Sequence, residues 1–223
     1  MNVPAPSLPL AHPRGRFITL EGGEGAGKST QARKLAAALR ARGRDVVVTR
    51  EPGGTPAAEE IRSLLVGGAI DRWSPVAEAL LHYAARREHL DALIVPALAG
   101  GQWVVCDRFA DSTMAYQGYG FALGRAFVET LHALVVGAIA PDLTLMIDLP
   151  VEEGLARAGG RRGGGDRYER MDRAFHERVR HGLLDIAKRE PGRCAVVDGR
   201  DAPERVAADV LAVVLGRLGA GAP

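Results

Sequence analysis

Gly22-Gly23-Glu24-Gly25-Ala26-Gly27-Lys28-Ser29 is the stretch that decides the fold. It fits G-x-x-x-x-G-K-[ST], a loop whose backbone N–H groups cradle a chain of phosphates. The flanks fit as well. Arg16-Phe17-Ile18-Thr19-Leu20 reads as a short buried strand running into the glycines. After Lys28, the residues Ala32, Leu35, Ala36 and Leu39 recur at i, i+3, i+4 and i+7, one face of a helix, and Gly43 stops it. Strand, glycine loop and helix in that order are what the loop needs. Glycines let the backbone come close and take positive φ. The N-terminus of a helix favours an anion. Lys28 sets a charge beside the outer phosphates, the Ser29 hydroxyl ligates Mg²⁺, and Thr30 bonds locally at the helix start.

Outward from this loop, apolar strand-like runs alternate with helical periodicity. The pattern predicts strands at Asp45–Thr49, Gln102–Cys106, Asp142–Leu149 and Cys194–Val197, with helices between them. With the first strand this makes a five-stranded parallel sheet covered by helices on both faces, a three-layer α/β P-loop NTPase fold. Ser74-Pro75 has the N-cap and first-turn signature of a helix that carries Ala79, Leu80, Tyr83 and Ala84, and its continuation through Ala99 should kink or break at Pro96. Further helices are expected over Ala57–Val66, Phe127–Ala138, Val151–Ala158, Arg167–Arg189 and Pro203–Leu218. Residues 1–14, with Pro4, Pro6 and Pro9, read as a disordered tail, and 15–220 as a single domain.

The whole chain has 223 residues, 47% hydrophobic and 25% charged, enough for one such domain with a sizeable core. Its net charge of +2 speaks against bulk nucleic-acid binding. Cys106 and Cys194 sit in apolar runs and read as buried thiols, so no disulfide framework is expected. No apolar run approaches a membrane span, and the N-terminus lacks a signal pattern. A cytoplasmic enzyme is the expectation.

In open α/β sheets, functional groups gather at the carboxyl ends of strands. Three such ends carry charge here: the glycine loop, Thr49-Arg50-Glu51-Pro52-Gly53-Gly54, and Asp107-Arg108. A carboxylate after an apolar strand suits a metal-holding role, which makes Asp107 the partner of Ser29 at Mg²⁺. Arg50 and Arg108 either fork a second phosphate group or pair with Glu51 and Asp107. Arg157, Arg161, Arg162 and Arg167 surround the glycine run 159–165. Arginines on a glycine-hinged segment at about 156–168 suit a lid that closes over phosphates and excludes water.

Taken together, Glu-Gly-Gly-Glu-Gly-Ala-Gly-Lys-Ser, Thr-Arg-Glu-Pro-Gly-Gly-Thr, Asp-Arg-Phe, Asp-Ser-Thr-x-Ala-Tyr-Gln-Gly and an arginine-rich stretch ending in Asp-Arg-Tyr-Glu resemble the bacterial thymidylate kinases, over Arg16 to about Leu218. The resemblance implies ATP as phosphoryl donor, Mg²⁺, dTMP as acceptor and a homodimer. It implies that Gly22 to Thr30 bind the ATP phosphates and that Glu24 holds the deoxyribose 3′-OH. Arg50 and Arg108 would take the dTMP phosphate. Arg86 would contact the thymine edge, Gln117 with Ser112 and Thr113 nearby would complete the base pocket, and Pro52 and Tyr116 would also bind the substrate. Lys28, Arg108 and a lid arginine, Arg161 or else Arg157 or Arg162, would serve catalysis. The adenine would lie near Asp198 to Ala202. The family stacks an aromatic ring on the base four residues before the reading arginine. Here that position holds His82, with Tyr83 next. Either His82 stacks and Arg86 reads, or Tyr83 stacks and Arg87 reads.

Overall fold

The strands β1 (Phe17–Glu21), β2 (Val46–Arg50), β3 (Trp103–Asp107), β4 (Leu143–Asp148) and β5 (Cys194–Asp198) are short apolar runs that pair in parallel in the order β2-β3-β1-β4-β5. The computed structural model of the chain describes residues 15–160 and 167–219. The expected tail 1–14 lies outside them, as do Arg161 and Arg162. β1 is buried at every position because helices cover both faces of the sheet, the condition that makes a central parallel strand uniformly apolar.

Strand alternation divides the core in two. Ile18, Leu20, Val105 and Leu145 face α1 (Lys28–Arg40) and α9 (Pro203–Leu218), meeting Leu35, Leu39, Val210 and Val214. Phe17, Val104, Cys106 and Met146 face the opposite layer. That layer holds α3 (Pro75–His89), a π-helical stretch Leu90–Ile94, α4 (Val95–Ala99), α5 (Ala110–Thr113), α6 (Arg125–Val135) and α8 (Arg173–Arg189). α2 (Pro56–Val66) packs on α3, and α7 (Val151–Gly159) follows β4. The three-layer α/β fold expected from the sequence is the one observed.

Three local differences have physical causes. The chain does not break at Pro96: the wide turn over Leu90–Ile94 carries the helical path up to it, and Pro96 sits in the first turn of α4, where its missing N–H costs nothing. The helix expected from Arg167 starts at Arg173, because Asp172 caps it by accepting from Phe175 N at 2.7 Å. Met114–Gly120 is a π-helical continuation of α5. Gly118 and Gly120 hide it from propensity, yet Gly120 must be small, since an added Cβ would stand 2.7 Å from the Phe175 ring.

Register then brings the chemistry together. Leu20 lies beside Asp107, and Arg50 lies beside Asp107 on the other side of β3. The chain past β1, β2 and β3 therefore emerges side by side.

Candidate active site

Gly22, Gly25 and Gly27 all have positive φ, at 155°, 67° and 88°. Gly25 is also a close approach: a Cβ there would meet the Gly154 carbonyl at 2.0 Å. Gly27 caps α1 with no side-chain acceptor, which leaves the first N–H groups of the helix pointing at the loop. Lys28 is buried and its Nζ donates to Gly23 O at 2.7 Å. Burial, then the neighbouring Arg108 charge, lowers the ammonium to about 8. The Ser29 hydroxyl donates to Asp107 Oδ2, while Asp107 Oδ1 is buried with no hydrogen-bond partner among the described residues. A hydroxyl and an orphaned carboxylate oxygen are hard donors that fit Mg²⁺. Thr30 keeps its N–H on Gly27 O at 3.0 Å, and both Thr30 and Arg157 line the same cleft as Lys28. Arg157 donates to Gly199 O at 2.9 Å and Arg200 O at 3.1 Å.

A pocket of about 500 Å³ opens beside this cleft, and Glu24 lines both. Arg108 follows β3 with φ 71°, an uncommon backbone for a non-glycine residue. The turn is held by Arg108 N on Leu20 O at 3.0 Å and by the Cys106 thiol on Arg108 O at 2.9 Å. The Arg108 guanidinium donates to Gly22 O, Ser112 Oγ, Glu24 Oε1 and the Tyr116 hydroxyl at 3.0–3.2 Å. Tyr116 in turn donates to Glu24 at 2.6 Å. Burial works to raise the Glu24 carboxyl, but the Arg108 and Lys28 charges outweigh it and hold the group at about 2. Beneath them, Glu21 accepts from Phe109 N at 2.7 Å and from Ser112. Its carboxyl rises to about 7, first through burial and then through the charge of Asp111.

The far end of the pocket is built on α3. Arg86 is 2% exposed. Its Nε donates to Glu51 Oε2 at 2.7 Å, and its Nη2 to Phe109 O at 3.0 Å and Thr113 Oγ1 at 2.9 Å. Its Nη1 has no hydrogen-bond partner among the described residues. Gln117 lines the same pocket; its Nε2 donates to Glu78 Oε1 at 2.7 Å, and its Oε1 is buried with no partner among the described residues. His82 forms a wall, with Nε2 2.8 Å from the Tyr168 hydroxyl. Burial, then the Arg86 charge, lowers its imidazole to about 3, so the ring is neutral near pH 7.

The family profile described as thymidylate kinase matches residues 20–210. The chain is 57% identical over 206 residues to the thymidylate kinase of Caulobacter vibrioides, covering 92% of this chain and 99% of that protein. It is 52% identical over 204 residues to the thymidylate kinase of Ruegeria pomeroyi, covering 92% and 96%. The chain belongs to the thymidylate kinase family. In three dimensions it is similar to the crystal structure of thymidylate kinase from Ehrlichia chaffeensis, with a TM-score of 0.75, 37% identity, and coverage of 91% of this chain and all of that one.

Within this thymidylate kinase framework, the structure brings together Glu24, Pro52, His82, Arg86, Arg108, Ser112, Thr113, Tyr116 and Gln117 around one pocket. Two expected members are absent from it and are corrected. Tyr83 is 1% exposed in the core, with its hydroxyl on Val128 O at 3.1 Å, because the next position along a helix is turned by about 100°. Arg87 pairs with Asp91 and donates to Val135 O, whereas His82 and Arg86 line the pocket. Arg50 also points elsewhere. It is the exposed end of edge strand β2, ion-paired with Glu59 at 3.1 Å, in a different cleft. Strand alternation turns its neighbour Glu51 inward instead, onto Arg86 and onto His89 Nδ1 at 3.1 Å.

Sequence reading passed over Arg62 and Glu78, gave Glu51 only as a possible ion-pair partner, and gave Tyr168 only as part of Asp-Arg-Tyr-Glu. Arg62 lines the pocket from α2 and donates to Pro52 O at 2.8 Å. Its one sequence signal is a basic residue a helix-length beyond Arg50. Glu51 stood next to an arginine that drew the attention. Glu78 carries no local signal.

Proposed function

We propose that the chain transfers the γ-phosphoryl group of Mg·ATP to the 5′-phosphate of dTMP, giving ADP and dTDP. One observation carries the substrate assignment. The pocket beside the P-loop presents an unpartnered donor, Arg86 Nη1, and an unpartnered acceptor, Gln117 Oε1. A ring carbonyl next to an N–H, as at O4 and N3 of thymine, satisfies both. Cytosine offers the reverse pattern. Neutral His82 lies where it can face the ring, and Glu24 takes the sugar hydroxyl.

Two anions must meet, so positioning and charge neutralisation do the catalytic work. Arg108, joined by Arg62 rather than Arg50, receives the dTMP phosphate. The loop amides of Gly22 to Thr30 hold the ATP phosphates, and Lys28 lines their cleft beside Glu24, which borders both clefts. The acceptor is already a phosphate oxygen, so no strong general base is needed. Ser29 and Asp107 would hold Mg²⁺, which supplies charge neutralisation on the outer phosphates. The segment at about 156–168 acts as a lid, with one correction to its arginines: Arg167 is 1% exposed and fixed on Leu65 O, Ile70 O and Glu78, so it does not reach the phosphates. The lid's other arginines, Arg161 with Arg157 and Arg162, stabilise the migrating group, and the stretch Asp198 to Ala202 flanks the adenine.

The proposal includes a cytoplasmic homodimer. Val76 and Leu80 on α3 and Leu134 on the adjacent α6 are apolar and exposed at 43%, 51% and 77%, which supports a partner copy there. Among the described residues no helix is long and apolar enough to cross a membrane.

ADP release from Mg·ATP tests the function, measured alone and with dTMP, dUMP or dCMP. Strong stimulation by dTMP, less by dUMP and little by dCMP is expected. No stimulation by any of them overturns it.

A further inference from the structure

Gln117 can read a base in only one sense if its amide is held in only one orientation. Glu78 holds it. This residue lies in the first turn of α3 with 0% exposure. One carboxylate oxygen accepts from Gln117 Nε2 at 2.7 Å and the other from Arg167 Nη2. Arg167, 1% exposed, is itself anchored on Leu65 O at 3.2 Å and Ile70 O at 2.8 Å. Both oxygens of Glu78 are thus engaged as acceptors. An amide oxygen turned toward them would set acceptor against acceptor, so the nitrogen faces Glu78 and Oε1 is left over. That oxygen is the one buried without a partner on the pocket side.

We propose that Glu78 is a specificity-determining positioning residue: it locks the Gln117 amide with its oxygen toward the pocket and so selects pyrimidine 5′-monophosphates whose N3 carries a hydrogen. The inference rests on the reading of the pocket as the dTMP site. A ring with N3–H donates to Gln117 Oε1. A cytosine ring places its N3 lone pair against that oxygen and is rejected. A flipped amide would present –NH₂ and remove the rejection. Glu78 also holds Arg167 and the Tyr168 hydroxyl, but it lies outside the pocket lining, and its effect on base choice runs through Gln117.

The test compares kcat/KM for dTMP and dCMP, with dUMP as the N3–H control without the methyl group, in the full chain and its variants. Glu78→Gln gives Gln117 a partner that accepts either amide orientation, and the dTMP:dCMP ratio should fall about tenfold or more, the scale on which a buried polar group discriminates. Glu78→Asp keeps an acceptor-only group and should hold the ratio within about threefold, since the preference follows from acceptor chemistry rather than length. Gln117→Met should lose the part of the preference that Arg86 Nη1 does not supply, and adding Glu78→Gln to it should change the ratio no further, as a double-mutant cycle for one shared path requires.

A wild-type ratio in Glu78→Gln, or an equal drop when it is added to Gln117→Met, overturns the proposal. If Glu78→Gln shows no cooperative melt, Glu78→Asp decides: a retained ratio supports the proposal and a tenfold loss overturns it. A Gln117→Met protein that keeps the wild-type ratio would instead overturn the pocket reading, and the proposal with it.

Discussion

Replacing Arg86 by Met removes the charge that joins the base pocket to the core while keeping the side chain long and apolar at its stem. In the native chain Arg86 and Glu51 are 2% and 3% exposed and 2.7 Å apart. Breaking a buried pair by removing one partner costs about 3–5 kcal/mol, because the other charge stays behind in a poor solvent. Here the cost falls at the lower end, about 3 kcal/mol, since His89 Nδ1 remains on Glu51 at 3.1 Å. A chain of this size loses roughly 2–4 °C of melting temperature per kcal/mol, so the midpoint should drop by about 6–12 °C. The same change deletes the donor aimed at the base. A hydrogen bond from a charged donor is worth about 1.5–3 kcal/mol, so kcat/KM for dTMP should fall by about 10- to 100-fold. Calorimetry and steady-state turnover on the same preparation read both. Adding Glu51→Gln to the variant should restore part of the lost stability, because it removes the stranded carboxylate. A midpoint within about 2 °C of wild type, with turnover unchanged, would refute the reasoning about this pair.

Two further outcomes follow from the P-loop cleft and the core beneath it. Asp107→Asn leaves one carbonyl oxygen where a carboxylate stood beside Ser29, so the Mg²⁺ concentration for half-maximal turnover should rise about tenfold; an unchanged Mg²⁺ curve would remove Asp107 from the metal site. Glu21 has its carboxyl raised from 4.5 to about 7 by burial, so the folded state holds that proton more tightly than the unfolded chain does. Its contribution to stability is complete below pH 4.5 and is lost as pH rises through 7. Urea midpoints across that window should therefore decline, and Glu21→Gln should flatten the decline; an identical slope in the variant would contradict this. Glu24 works in the other direction. Held at about 2, it stabilises above pH 4.5, and that stability is lost as the pH falls toward 2.

Much of the site was legible because it is local in the chain. Glu24, Lys28 and Ser29 lie within one loop whose spacing is itself the geometry, and Asp107-Arg108 lies at the end of an apolar strand. The five strands were legible for a similar reason: central parallel strands are continuous apolar runs, and the helices between them keep a 3.6-residue period. The helical stretch Met114–Gly120 was not, because Gly118, packed on Met114 and Val128, and Gly120, packed on Phe175, look like breakers when read alone.

The sequence by itself determined the fold, the glycine loop, the nearness of Ser29 and Asp107 to it, and the arginine at the end of β3. Only the tertiary structure decided which way the side chains at β2 and α3 turn. Arg50 leaves on the open edge of the sheet while Arg62 arrives from α2. Tyr83 goes to the core while His82 faces the pocket. Glu51 and Glu78 become the anchors of Arg86 and Gln117. The physical reason is the same in each case. A one-residue step reverses the face on a strand and turns it by about 100° on a helix. A buried carboxylate finds its partner across 35 or 39 residues of chain, a distance over which spacing in sequence carries no direction.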